Sequence, residues 1–295
     1  MKILKSTMLA LLVSALAAPA FAAEVKAVAT FSILGDIVAR VGGERVAVTT
    51  IVGPNADTHV YEPKPSDAVA VSQADVLFVN GLGFEGWLDR FVESTSFTGP
   101  VVVASEGVKT HTMDEDGAVV TDPHAWQSLK NGLLYVKNVA AGLCAVDADG
   151  CVTYEANATA YSAEITALDD QLIADIAAVP AAKRQVITTH DAFGYFGEEY
   201  GVKFLAPEGI STDSEASAAD VAKLITQIKS DGVTALFIEN MSDGRLVQQI
   251  ADETGVTVGG ELYADALSEA DQGAASYIDM FKHNIGLLVP AMLGK

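Results

Sequence analysis

From residue 25 onward, short runs rich in Val, Ile, Thr and Phe alternate with stretches whose apolar residues recur every three or four positions. The first pattern predicts buried strands and the second predicts amphipathic helices. Strands are expected over 25–31, 46–52, 76–80 and 101–104, with helices over 33–41, 67–73 and 84–92 between them. The rhythm returns later, with strands over 185–189, 235–239 and 256–262 and helices over 193–200, 218–230, 245–254 and 274–293. Strands separated by helices of this length build βαβ units on a parallel sheet. The pattern therefore predicts an α/β protein of two lobes.

One segment departs from the rhythm. From 152 to 179 there is neither Gly nor Pro, and Ala158, Tyr161, Ile165, Leu168, Leu172 and Ile176 mark one helical face. At 1.5 Å per residue this helix is about 42 Å long, and Pro180 ends it. The lobes are thus expected to be joined by a rod that resists wide opening. The expected division is a leader over 1–22, an N-terminal lobe over 23–151, a linking helix over 152–180 and a C-terminal lobe over 181–295.

The leader changes where the chain is expected to work. Lys2 and Lys5, an apolar stretch over 8–18 and the small-x-small signal Ala20-Phe-Ala22 form a secretory signal peptide. No Cys follows the cleavage signal, so a freely soluble periplasmic chain without a lipid anchor is expected. Without Lys2 and Lys5, the 18 basic residues fall to 16 against 39 acidic ones, a net charge near −23. Such a surface excludes nucleic acid as a partner. The only cysteines, Cys144 and Cys151, enclose six residues, and in an exported chain they are expected to form a disulfide.

Candidate chemistry sits in four loops. His59, His124, His190 and Asp265 stand 65, 66 and 75 residues apart, so only the whole fold can bring them together. His190 directly follows the strand predicted over 185–189, and Asp265 follows the one ending at 262. His59 lies after the strand over 46–52, and His124 comes just before a helix expected near Gln127. Ligands of α/β proteins bind at the carboxyl ends of the strands, and two candidates fall in each lobe. Taken singly, a loop His is usually solvated and an Asp can simply cap a helix; the joint placement favours a shared site. Three neutral imidazoles and one carboxylate suit Zn²⁺ with every position filled by protein. A filled shell points to binding rather than catalysis, and the His-Glu-x-x-His motif of many zinc hydrolases is absent.

The segments carrying these residues resemble a known family. Thr30-Phe-Ser-Ile-Leu-Gly-Asp36, Asp57-Thr-His-Val-Tyr-Glu-Pro63, Asp122-Pro-His-Ala-Trp126, His190-Asp-Ala-Phe-Gly-Tyr-Phe196 and Tyr263-Ala-Asp265 occur in the order seen in the zinc/manganese solute-binding proteins of ABC importers. The resemblance runs from about residue 25 to the C-terminus. It implies two α/β lobes joined by a long helix, a metal held between them by His59, His124, His190 and Asp265, and a membrane permease as partner. Manganese-selective relatives tend to carry a carboxylate at the third ligand, where this chain has His190. Zn²⁺ is therefore the expected cargo and Mn²⁺ the alternative. A monomer is expected; whether a periplasmic metallochaperone delivers the ion stays open.

Other features are expected to be structural. The stretch over 109–121, with His111 as its only histidine, is expected to be a flexible acidic loop rather than a metal collector. His283 is expected to pair with Asp279 or pack on its helix. Asn157-Ala-Thr159 matches a glycosylation sequon inside the rod. Glu239 and Glu62 are candidates to orient an imidazole N–H, and the sequence selects neither. A binding protein for an organic siderophore or vitamin would share the architecture, but its cleft would need Arg or aromatic residues, and basic residues are few.

Overall fold

The computed structural model describes residues 25–115, 118–214, 216–233 and 235–295. The expected leader lies outside the described residues. In the N-terminal half, β1 (Val25–Phe31), α1 (Ser32–Gly42), β2 (Val46–Val52), α2 (Pro65–Ser72), β3 (Val76–Val79), α3 (Leu88–Thr95) and β4 (Val101–Val103) follow in turn. Their strands form one parallel sheet in the order β2-β1-β3-β4. A hairpin, β5 (Thr112–Glu115) with β6 (Ala118–Thr121), leads to α4 (Leu129–Val146) and then α5 (Cys151–Ala177). The C-terminal half contains β7 (Gln185–Ile187), α6 (Gly194–Tyr200), β8 (Lys203–Leu205), α7 (Ala218–Asp231), β9 (Ala235–Glu239), α8 (Arg245–Thr254), β10 (Thr257–Leu262) and α9 (Tyr277–Leu293). Its sheet is also parallel, in the order β10-β9-β7-β8. Two parallel sheets and one long helix make the predicted α/β architecture.

The central strands explain the apolar runs. β3 is buried at all four positions and β1 at six of seven, as expected for strands covered on both faces. The rod forms as predicted, and α5 has 27 residues. Its buried face is Tyr154, Tyr161, Ile165, Asp169, Leu172 and Ile176. Asp169 is the surprise on that face. It is tolerated because it accepts a 2.8 Å hydrogen bond from Tyr200 of α6, which ties the rod to the C-terminal half.

α5 packs along α1 and α4 and reaches α9, so it touches both halves. One continuous apolar core runs from β1 and β3 through Tyr135, Tyr154, Tyr161 and Tyr277 to Phe196, Phe237 and Phe281. A smaller core, with Ile187, Leu224, Leu236, Val247 and Ile250, lies under α7 and α8. Wide opening of the halves would have to break the larger core, which agrees with a stiff connection. Asp36 of α1 adds to it, accepting from Tyr277 N–H at 2.9 Å and from the Tyr161 hydroxyl at 3.3 Å. Among the described residues no helix is long and apolar enough to cross a membrane.

Several boundaries differ from expectation. Within the stretch expected to be a flexible acidic loop, residues 112–115 and 118–121 pair as antiparallel strands, Thr112 with Thr121 and Met113 with Val120, while 116 and 117 lie outside the described residues. α3 starts at Leu88, not residue 84, because the backbone turns through positive φ at Gly81, Leu82 and Gly83. Buried Glu85 holds that turn, accepting from the N–H groups of Asn80 and Gly81. α9 starts at Tyr277, not residue 274, because Ser276 caps it through Asp279 N–H. β8 was not expected; three residues between Gly201 and Pro207 leave too short a run to register as a strand.

Cys144 and Cys151 are joined, closing the turn between α4 and α5. A loop this short constrains the unfolded chain by about 2 kcal/mol. Replacing both cysteines with Ser should lower stability by that amount in denaturant titration. Metal affinity should be unchanged, since neither cysteine belongs to the cluster formed by the four candidate ligands.

Candidate metal centre

All four predicted ligands converge. His59, His124, His190 and Asp265 each place one donor atom within 4.8 Å of every other. His59 Nε2 lies 3.3 Å from His124 Nε2 and 3.3 Å from Asp265 Oδ2. Asp265 Oδ2 is 3.2 Å from His190 Nε2, and Oδ1 is 3.6 Å from His124 Nε2. A tetrahedral ion with bonds of about 2.1 Å needs its ligand atoms about 3.4 Å apart. These separations, 3.2–3.6 Å, bracket that edge.

Each side chain is positioned from behind. The Asp122 carboxylate accepts from both His124 N–H (2.9 Å) and His124 Nδ1 (2.8 Å). Asp122 is itself held by Tyr195, whose hydroxyl donates to the Asp122 carbonyl at 3.0 Å. Glu239, at the end of β9, accepts from Thr189 N–H (2.8 Å) and His190 N–H (3.1 Å), and a further short bond joins its Oε2 to His190 Nδ1. A carboxylate behind Nδ1 holds a proton there, so that an ion displacing the second proton meets the Nε2 lone pair facing inward. Glu239 was one of two candidates that the sequence could not choose between; Glu62 is exposed. Asp122 was missed, although Asp122-Pro-His124 put a carboxylate two residues before an imidazole in plain view. His59 is held through its backbone, with N–H donating to Asp57 Oδ1 at 2.8 Å.

Asp265 is set by links between the two halves. Trp126 Nε1 and Gln127 Nε2 both donate to the Ala264 carbonyl, at 2.9 and 2.7 Å. Nearby, Asn55 N–H donates to Leu267 O and Leu267 N–H to Ser32 Oγ, each at 2.9 Å. Aromatic rings wall the site: Phe84 stands edge-on to His59 at 4.9 Å and Trp126 to His124 at 5.3 Å.

The electrostatics leave something missing. Both Asp265 oxygens and His190 Nε2 are buried without a hydrogen-bond partner. Such groups are costly unless something satisfies them, and here all point at one spot. Burial pushes the Asp265 carboxyl up, but His190 and His124 outweigh it and hold it well below the usual carboxylate range. Burial pulls His124 down, yet Asp265 and Asp122 raise it to about 9. Burial likewise opposes Glu239 and Asp265 at His190, which ends well above the usual value.

The remaining histidines lie elsewhere. His111 N–H donates to the Tyr195 hydroxyl, and its Nδ1 lies 3.2 Å from Glu198. His283 does not pair with Asp279; its Nε2 lies 2.9 Å from the Glu261 carbonyl. Asn157 donates to the Val41 carbonyl at 3.0 Å, which packs the sequon against α1.

Two lobes around a buried set of donor side chains define a solute-binding protein, not an enzyme. The chain belongs to the family described as zinc-uptake complex component A, periplasmic, which it matches over residues 27–291. It is therefore a periplasmic metal-binding component of an ABC importer, whose partner is a membrane permease. It is 36% identical to the manganese-binding lipoprotein MntA of Halalkalibacterium halodurans, over 90% of this chain and 88% of that one. Among solved structures it resembles a manganese-bound periplasmic metal-binding protein of Candidatus Liberibacter asiaticus, with 31% identity and TM-score 0.84 over 90% of this chain and 99% of that one. It also resembles the periplasmic zinc-binding protein TroA of Treponema pallidum, with 29% identity and TM-score 0.86 over 91% and 99%. These names divide between manganese and zinc, so they give the expected preference for zinc no support over manganese.

The pH dependence follows from His124. In the metal-free protein it holds its proton until the pH approaches about 9, so at neutral pH an entering ion must displace that proton. Apparent affinity should therefore rise with pH up to about 9 and fall on acidification. Calorimetry in buffers of differing ionisation enthalpy should show at least one proton released per ion at pH 7. For the metal-free fold the sign is reversed: the stability from this raised value is complete below about 6.5 and is lost as pH rises through about 9.

Proposed function

We propose that His59, His124, His190 and Asp265 hold the transported ion, and that Mn²⁺ is the cargo. The observation that carries the ligand reading is the Asp265 carboxylate, whose two oxygens are buried, unpartnered and 3.2–3.6 Å from the three imidazole nitrogens. Two free oxygens let one carboxylate supply two donors, which suits an ion that accepts more than four ligands and prefers oxygen. The manganese names of MntA and of the Liberibacter structure support this choice.

A second reading, Zn²⁺, is favoured by the donor set. Three imidazoles suit zinc, and intrinsic affinity rises from Mn²⁺ towards Cu²⁺, with Zn²⁺ well above Mn²⁺. The family description and the TroA likeness agree with it. On either reading the loaded protein docks on the permease, which takes the ion. Relatives such as MntA are named lipoproteins.

Metal-free protein titrated with Mn²⁺ should bind one ion per chain and broaden the free-ion electron paramagnetic resonance signal. His59→Ala and Asp265→Ala should each weaken binding by more than about 100-fold, because outer partners alone are worth about 10–100-fold. Unchanged binding in both variants would overturn the ligand assignment. Protein isolated from cells grown with both metals should carry manganese; zinc alone would move the cargo to the second reading.

A further inference from the structure

The loop after β8 connects two of the four candidate ligand loops. On one side it is pinned to the His190 loop, where Glu208 N–H donates to Thr189 O at 3.3 Å and Asp191 N–H donates to Gly209 O at 3.0 Å. His190 and Glu208 also form an isolated parallel bridge. A few residues on, the half-buried Thr212 hydroxyl donates to Asp57 Oδ2 at 2.6 Å, joining residues 155 apart in the chain. The other oxygen of that carboxylate, Oδ1, accepts the backbone N–H of His59 at 2.8 Å. One carboxylate thus grips the first ligand's backbone and the strap that leads to the third ligand.

This arrangement sets His59 apart from the other imidazoles. His124 and His190 are oriented through their rings, by carboxylates on Nδ1. His59 is oriented through its backbone, from a loop that ends in no regular element until Pro65. A cavity of about 470 Å³ lined by Asp57, Thr212, Met241 and Asp243 opens beside the Asp57 contact, so solvent reaches it. The deeper links, from Trp126 and Gln127 to the Ala264 carbonyl, are buried.

We propose that Asp57 and Thr212 form a latch that sets how fast the bound ion leaves, with Asp57 as the positioning residue for His59. The inference rests on the reading that these four side chains hold the cargo. While Thr212 holds the carboxylate, the His59 loop stays clamped to the C-terminal half and its imidazole stays over the ion. When that bond breaks, the end of the loop next to His59 loosens, while Asn55 N–H still holds its start to the Leu267 carbonyl at 2.9 Å. A partner pressing on the strap would open the site from this edge without disturbing the larger core.

The test compares wild type, Thr212→Val and Thr212→Ser, each loaded with Mn²⁺ and, in a parallel arm, with Zn²⁺. Release is followed in stopped flow against excess chelator. Val keeps the shape and removes the hydroxyl; its loss of a hydrogen bond to a carboxylate should speed release about tenfold. Association should change by less than about twofold, since the ligands themselves are untouched. Thr212→Ser restores the hydroxyl and should restore slow release. Metal-free Thr212→Val should lose no more than about 1.5–3 kcal/mol, the worth of one hydrogen bond to a carboxylate, and a larger loss would make the contact a general support and overturn the latch. Wild-type release in Thr212→Val, or equally fast release in Thr212→Ser, would overturn the latch and leave the ligand assignment standing. Failure of wild type to take up either ion would overturn the ligand assignment and the latch with it.

Discussion

The structure depends on one buried carboxylate. Asp265 sits fully enclosed at the end of β10 with neither oxygen hydrogen-bonded, facing three imidazole nitrogens. An arrangement that leaves two buried acceptors open is costly for a fold to maintain. Everything around it works to maintain it: Trp126 and Gln127 grip the preceding carbonyl, Asn284 accepts from Tyr263 N–H, and α9 backs the loop. The continuous core through α5 and α9 keeps the two halves from relaxing apart. A dication at the centre would satisfy both oxygens and remove the need for protons on the imidazoles.

Much of this was legible in the residues alone. Strand-end positions for His190 and Asp265, and loop positions for His59 and His124, predicted convergence because parallel sheets direct their carboxyl-end loops to one edge. The rod was legible because 27 helical residues without Gly or Pro carry a clear apolar stripe. What escaped notice depends on contacts between distant segments. Asp169 looks like a solvent-facing residue until Tyr200 is folded against it. The pairing of 112–115 with 118–121 escapes a reading of the residues because it depends on register, which a short polar stretch does not reveal. Asp122 could have been found from its spacing to His124, whereas the link from Thr212 to Asp57 carries no local signal.

Choice of metal is a separate problem from possession of a site. Three imidazoles and a carboxylate hold Zn²⁺ more tightly than Mn²⁺ on intrinsic affinity, so a cell that loads manganese must rely on metal availability and geometry. The rigid frame can contribute to geometry by fixing ligand spacing, and the two free Asp265 oxygens can contribute by raising the donor count. A net charge of −21 adds a negative surface field that attracts any dication and discriminates among none. Selectivity therefore has to reside in the few ångströms around Asp265.

X-ray absorption at the metal edge of the loaded protein tests the central claim most directly. The account predicts a first shell of three imidazole nitrogens and carboxylate oxygen at about 2.0–2.2 Å, with the outer-ring scattering of histidine. Replacing Asp265 should remove only the carboxylate contribution. A shell built from water and exposed carboxylates, without imidazole scattering, would contradict it.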